Sequence, residues 1–118
     1  MRLFYLFFSL SLVSVTLAYG NNSIEIQMQN CELGNNDSCN NVGNYFNKQK
    51  KRLRARFYYK KACERDNAYS CIATGHTYLL EELAGLSRGG SKQYYYRACE
   101  LGVDKGCSLY KRSQLAGY

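Results

Sequence analysis

The sequence predicts an all-α protein, a short α/α solenoid of antiparallel helix pairs stapled by disulfides. Three observations carry this expectation. Six cysteines fall in three pairs, at 31 and 39, 63 and 71, and 99 and 107, each pair eight positions apart. The pairs start 32 and then 36 residues apart with recurring flanks, a period that marks stacked-repeat architectures. Apolar residues follow helical spacing, and the chain contains no proline.

In chain order, Arg2 precedes an apolar run from Leu3 to Ala18, followed by Tyr19 and Gly20. A basic start, a short apolar stretch and small residues at positions −3 and −1 before the cut (Ala18 and Gly20, or Thr16 and Ala18) describe a cleaved signal peptide, residues 1–20. The run is diluted by Ser9, Ser11, Ser14 and Thr16, and it falls short of the roughly 20 residues a membrane span needs. No second such stretch follows. The expected mature product, residues 21–118, is one secreted or periplasmic domain without a transmembrane span. Loss of Arg2 takes its formal charge from +7 to +6.

A domain of this size buries a modest core, and small exported domains commonly add disulfides. An even number of cysteines in an oxidising compartment fits that framework and leaves fifteen pairings open. Zinc sites favour closer Cys spacing or mixed Cys/His sets, and this chain has one histidine. No metal or cofactor is expected.

The flanks define units at about 31–62, 63–98 and 99–118. Cys31-Glu32-Leu33-Gly34 returns as Cys99-Glu100-Leu101-Gly102, with Cys63-Glu64-Arg65-Asp66 as a variant. Tyr58-Tyr59-Lys60-Lys61-Ala62-Cys63 matches Tyr94-Tyr95-Tyr96-Arg97-Ala98-Cys99, and Cys39-Asn40-Asn41-Val42-Gly43 matches Cys71-Ile72-Ala73-Thr74-Gly75. Leu53, Phe57, Tyr58 and Ala62 lie three or four apart, as one stripe of an amphipathic helix. Gly34 and Gly102 stand where a left-handed residue ends a helix, and Asp37 and Asp104 where the next would be capped. Each cysteine pair then straddles a helix-turn-helix corner. Six helices follow, at about 23–33, 37–47, 51–65, 68–84, 91–101 and 104–116. Gly43 and Gly75 fall inside helices at a cost of ~1 kcal/mol against alanine, which a closely approaching neighbour helix would offset.

The C-x7-C spacing with Tyr-Tyr-x-x-Ala-Cys-Glu closely resembles the Sel-one-like repeat, a relative of the tetratricopeptide repeat, as found in the Helicobacter cysteine-rich protein (Hcp) family. The resemblance covers about residues 24–115. It implies an α/α superhelix with one disulfide inside each repeat, Cys31–Cys39, Cys63–Cys71 and Cys99–Cys107. The chain departs from the pattern in a basic rather than Gly-rich loop in the first unit, and in Lys111 where Gly43 and Gly75 stand in the others. With about two and a half units, any concave groove is short.

The resembled family is described as penicillin-binding or β-lactamase-like, which implies a β-lactam or a peptidoglycan fragment as ligand. Ser108-Leu109-Tyr110-Lys111 fits S-x-x-K, yet no S-D-N or K-T-G accompanies it. Ser108 and Lys111 are therefore weak catalytic candidates. Residues of the first helix in each pair, Asn44, Tyr45, His76 and Thr77, are candidates for a partner surface, because such helices line the concave side in the resembled architecture. A third candidate is the basic run Lys48, Lys50, Lys51, Arg52, Arg54 and Arg56, extended by Lys60, Lys61 and Arg65, with no acid before Glu64. Export argues against nucleic acid as its partner and favours an anionic envelope component or acidic protein. The leading expectation is an exported module that binds a protein, peptide or envelope ligand. The alternative is a penicillin-binding protein or weak β-lactamase.

Overall fold

The computed structural model describes residues 23–117. The apolar run and the expected signal peptide, residues 1–20, lie outside them. All regular elements among the described residues are helical: α1 (Ser23–Glu32), α2 (Asn36–Lys48), α3 (Arg52–Glu64), α4 (Ala68–Leu83), α5 (Gly90–Glu100) and α6 (Asp104–Ala116). Helix packing follows chain order, each helix lying mainly against the next. None of the described helices is long and apolar enough to cross a membrane.

Three corners, α1–α2, α3–α4 and α5–α6, share one backbone design. Gly34, Asp66 and Gly102 occupy the left-handed region, at φ 106°, 65° and 94°. The following residue's N–H reaches back five positions: Asn35 to the Asn30 carbonyl (2.9 Å), Asn67 to Ala62 (3.1 Å), Val103 to Ala98 (3.2 Å). This is a helix-terminating turn that spends the last free carbonyls. Asp66 adopts the left-handed conformation in place of glycine, as short polar side chains do at modest cost.

The caps differ from the sequence expectation. Asn35 and Asn67, not the aspartates, cap α2 and α4, each side chain accepting an N–H at 3.0 Å from Ser38 or Ser70. Val103 holds the capping position of α6 without a side-chain bond. Asp37 and Asp104 sit inside the first turn instead, because each helix restarts only two residues after the left-handed turn. There their charge still favours the positive end of the helix dipole.

The cysteines clamp these corners. Cys31 lies against Cys39, Cys63 against Cys71 and Cys99 against Cys107, with sulfurs at bonding distance and α-carbons 4.6, 4.6 and 4.4 Å apart. Cys31, Cys39, Cys63 and Cys71 are fully buried, whereas Cys99 and Cys107 keep some solvent contact. Thiol–disulfide exchange needs access to a sulfur. Under limiting reductant, Cys99 and Cys107 should therefore be alkylated first, before the other four, as peptide mapping after quenching would show.

The buried residues form patches strung along the chain rather than one centre. Val42, Phe46, Ala55 and Tyr59 make one; Cys63, Cys71, Ile72, Tyr95 and Ala98 make another; Cys31, Cys39 and Ala62 a third. The stripe expected on α3 divides. Ala62 packs inward with Ala55 and Tyr59, but Leu53 and Phe57 face solvent, 69% and 56% exposed. Helical geometry explains it: Leu53 and Phe57 stand roughly opposite the strip that contains Ala55, Tyr59 and Ala62.

Candidate functional site

Gly43 and Gly75 each admit a tyrosine from the following helix. A β-carbon at Gly43 would stand 2.4 Å from the Tyr59 ring, and one at Gly75 2.5 Å from the Tyr95 ring. No larger residue leaves that space. Both rings are almost fully buried, at 3% and 1% exposure, and a buried hydroxyl requires a partner. The residue after each glycine supplies one. Tyr59 donates to Asn44 Oδ1 at 2.6 Å, and the Tyr95 hydroxyl lies 2.7 Å from His76 Nδ1. Two residues expected to meet a partner thus also complete the packing.

By parallel with Asn44, Tyr95 donates to Nδ1 and the ring proton of His76 sits on Nε2. Burial pushes the Tyr95 hydroxyl up to about 12, with the Glu82 carboxylate adding to the effect, so it stays protonated. Partial desolvation, and then the nearby Lys105, lower the His76 pKa below its ordinary 6.5. A neutral ring is the one that can accept the tyrosine proton. Each tyrosine uses only one end of its partner. The Nδ2 amide of Asn44 and the Nε2–H of His76 are donors not spent on the tyrosines.

Asn44, Asn47, Tyr59, Ala73, His76, Thr77 and Leu80 line a cavity of about 280 Å³ between α2 and α4. Three sequence candidates, Asn44, His76 and Thr77, meet there. Thr77 is buried and already committed: its hydroxyl donates to the Thr74 carbonyl at 2.6 Å and accepts from Arg56 Nε at 2.9 Å. Tyr45 lies outside the cavity wall, its ring edge against Phe46 at 5.3 Å. Asn47 and Tyr59 were not singled out from the sequence. The recurring Tyr59 and Tyr95, and the three-residue step from Asn44 to Asn47 on one helix face, were the signals.

The basic run separates into two groups. Lys48, Lys50, Lys51, Arg52 and Arg54 are exposed around the α2–α3 corner, where Lys50, Lys51, Arg52, Leu53 and Arg54 line an open hollow of about 480 Å³. Arg56 is withdrawn from that group. Its guanidinium stacks 3.7 Å over the Tyr78 ring, donates to the Thr77 carbonyl at 3.0 Å and pairs with Glu81 at 2.8 Å. Lys61 pairs with Glu32, and Arg65 donates to the Cys31 carbonyl at 2.7 Å. These three cations tie α3 to its neighbours.

Ser108 and Lys111 are both exposed on α6 and line neither the cavity nor the hollow. Among the described residues, no group of three or more His, Cys, Asp and Glu side chains is placed to hold a metal ion.

The His76 contact has a measurable pH signature. Its depressed pKa means the unfolded chain takes a proton before the folded one does. The stabilisation is fully present above about pH 6.5 and is lost as pH falls from there through the lower folded value. His76→Asn reproduces the Asn44 arrangement without the titration. Melting temperatures at pH 7 and pH 5 should differ more for the parent than for that variant; equal differences would show that His76 is not held neutral by the fold.

Comparison of the chain with family models, with curated proteins and with solved structures gave no match in any of the three.

Proposed function

We propose that this chain is an exported interaction module, a two-and-a-half-unit solenoid of the Hcp type whose α2–α4 cavity receives an extended segment of a protein or peptide ligand. The observation that carries the reading is the pairing of buried tyrosines with Asn44 and His76. It orients two unspent hydrogen-bond donors on residues of one cavity wall, next to the Asn47 amide. Side chains each tied by a hydrogen bond to a buried tyrosine lose less freedom on binding, which is what makes a preformed site effective. Their chemistry suits carbonyl or carboxylate acceptors, and the apolar Ala73 and Leu80 would take a neighbouring side chain. The leader-like N-terminus supports export, and the cysteine and tyrosine motifs support the likeness to the Hcp type.

Selection of displayed peptides on the oxidised protein tests this. Selected peptides should lose at least about tenfold in affinity on Asn44→Ala or His76→Ala, the effect of removing one hydrogen bond of ~1.4 kcal/mol. Peptides whose binding ignores both changes would overturn the reading. The β-lactamase alternative predicts chromogenic β-lactam turnover that disappears with Ser108→Ala. With both Ser108 and Lys111 open to solvent and no oxyanion-binding groups beside them in sequence, we expect no Ser108-dependent turnover.

A further inference from the structure

We propose that the outward face of α3, with the α2–α3 corner, docks on an anionic phospholipid bilayer. This surface shares no residue with the α2–α4 cavity, so it stands or falls separately from the peptide-binding reading.

From Ser38 to Cys63 the chain has no Asp or Glu. Within that stretch Lys48, Lys50, Lys51, Arg52 and Arg54 are exposed together around one corner. Lys50 even holds the left-handed conformation, at φ 61°, a position where glycine or asparagine is less strained. The corner places a cation where local backbone preference does not favour one.

Charge alone would suit any polyanion. The apolar residues decide between them. Leu53 and Phe57, four positions apart, form a ridge on the outward side of α3, with Leu53 among the cations of the hollow. The Lys61 ammonium lies 5.0 Å from the centre of the Phe57 ring. Beyond the edge contact of Phe57 with the adjacent Tyr58 ring, 5.1 Å between centroids, packing does not account for this ridge. In the next unit, 36 residues on, the corresponding positions are Gly89 and Gln93, so the helix pair forms without apolar groups there.

A leucine and a phenylalanine exposed beside five cations, none of them in a salt bridge among the described residues although Arg54 lies 5.6 Å over the Phe46 ring, form the pattern of an interfacial surface. The cations meet phosphate headgroups while the ridge enters the acyl boundary. An acidic polysaccharide offers nothing to bury the ridge. An acidic protein would need a matching apolar socket, which a bilayer supplies without one.

The chain has no tryptophan, so Phe57→Trp puts a single reporter on the ridge, and Tyr69→Trp, at an exposed site on α4, serves as its control. Mixed phosphatidylglycerol–phosphatidylcholine vesicles should shift the ridge indole to the blue and leave the control unmoved. Pure phosphatidylcholine should shift neither. Changing Lys50, Lys51, Arg52 and Arg54 to Gln should lower partitioning roughly a hundredfold or more. Leu53→Ser with Phe57→Ser should weaken vesicle binding but leave heparin binding intact, with helical circular dichroism unchanged in all variants. No shift at the ridge, or an equal shift at the control, overturns the proposal. Heparin binding with vesicle binding indifferent to the serine pair overturns it in favour of a polysaccharide.

Discussion

Reduction of all three disulfides is expected to remove most of the helix signal. Each staple closes a loop of nine residues and, in the chain-entropy account, stabilises the fold by ~2.6 kcal/mol. Together they contribute on the order of 8 kcal/mol, against a typical domain stability of about 5–15 kcal/mol. The core offers little reserve, because its buried residues form small patches between successive helices rather than one body. Each corner also relies on a short turn in which one residue is left-handed, and the staple holds that turn closed. Circular dichroism with excess reductant should show a largely unfolded chain at room temperature. A spectrum that survives full reduction, checked by alkylation of all six cysteines, would show that helix packing is sufficient. The order of loss is a further check, since the α5–α6 corner should open first.

Gly75→Ala should destabilise the protein even though alanine is the better helix former. The propensity gain is ~1 kcal/mol. Against it, the new methyl would lie 2.5 Å from Tyr95 Cε1 and 2.7 Å from Cδ1. Tyr95 cannot swing aside cheaply, because its ring is 1% exposed and its hydroxyl is held by His76. Overpacking of this kind costs about 1–3 kcal/mol, and loss of the buried hydroxyl's partner adds ~1 kcal/mol or more. The second effect wins, and the melting temperature should fall by at least about 5 °C. Gly43→Ala should behave alike, with its methyl 2.4 Å from Tyr59. Lys111→Ala, at the corresponding exposed position of α6, should stay within ~0.5 kcal/mol of the parent. A neutral or stabilised Gly75→Ala would mean that the close approach is not what glycine is there to permit.

Much of this architecture was readable without coordinates. All six helices fall within two residues of the expected spans at each end, and Gly34 and Gly102 are left-handed where helix ends were expected. Internal repetition supplied what periodicity alone lacked, because each unit served as a control on the others. Repetition also pointed to close approach at Gly43 and Gly75, although the ring that fills each space emerged only from packing. Where expectation and structure part, the difference is a residue or two at the caps and about half a turn on α3. Asp37 and Asp104 lie two and one residues past the true caps, and Leu53 and Phe57 share the helical spacing of Ala62 yet face solvent. A spacing of three or four residues defines a strip on a helix but not the side of the domain it faces.

The sequence by itself determined the features set by neighbours within about five positions: where helices begin and end to within two residues, that Gly34 and Gly102 take the left-handed turn, and that cysteines bracket each corner. Those depend on backbone sterics and short-range hydrogen bonds, which the local residues dictate. Tertiary structure alone decided how the polar side chains are used. Arg56 reaches Thr77 across 21 positions and so leaves the basic surface it belongs to in sequence. Glu82, unremarked in the sequence, is buried and accepts from the Ser91 N–H at 2.8 Å and from the Ser91 hydroxyl, capping a helix whose own preceding residue is Gly89. Asn44 and His76 acquire their orientation from tyrosines 15 and 19 positions away. A buried donor or acceptor takes whichever partner the packed helices bring within 3 Å or so, and that choice exists only once the helices have met.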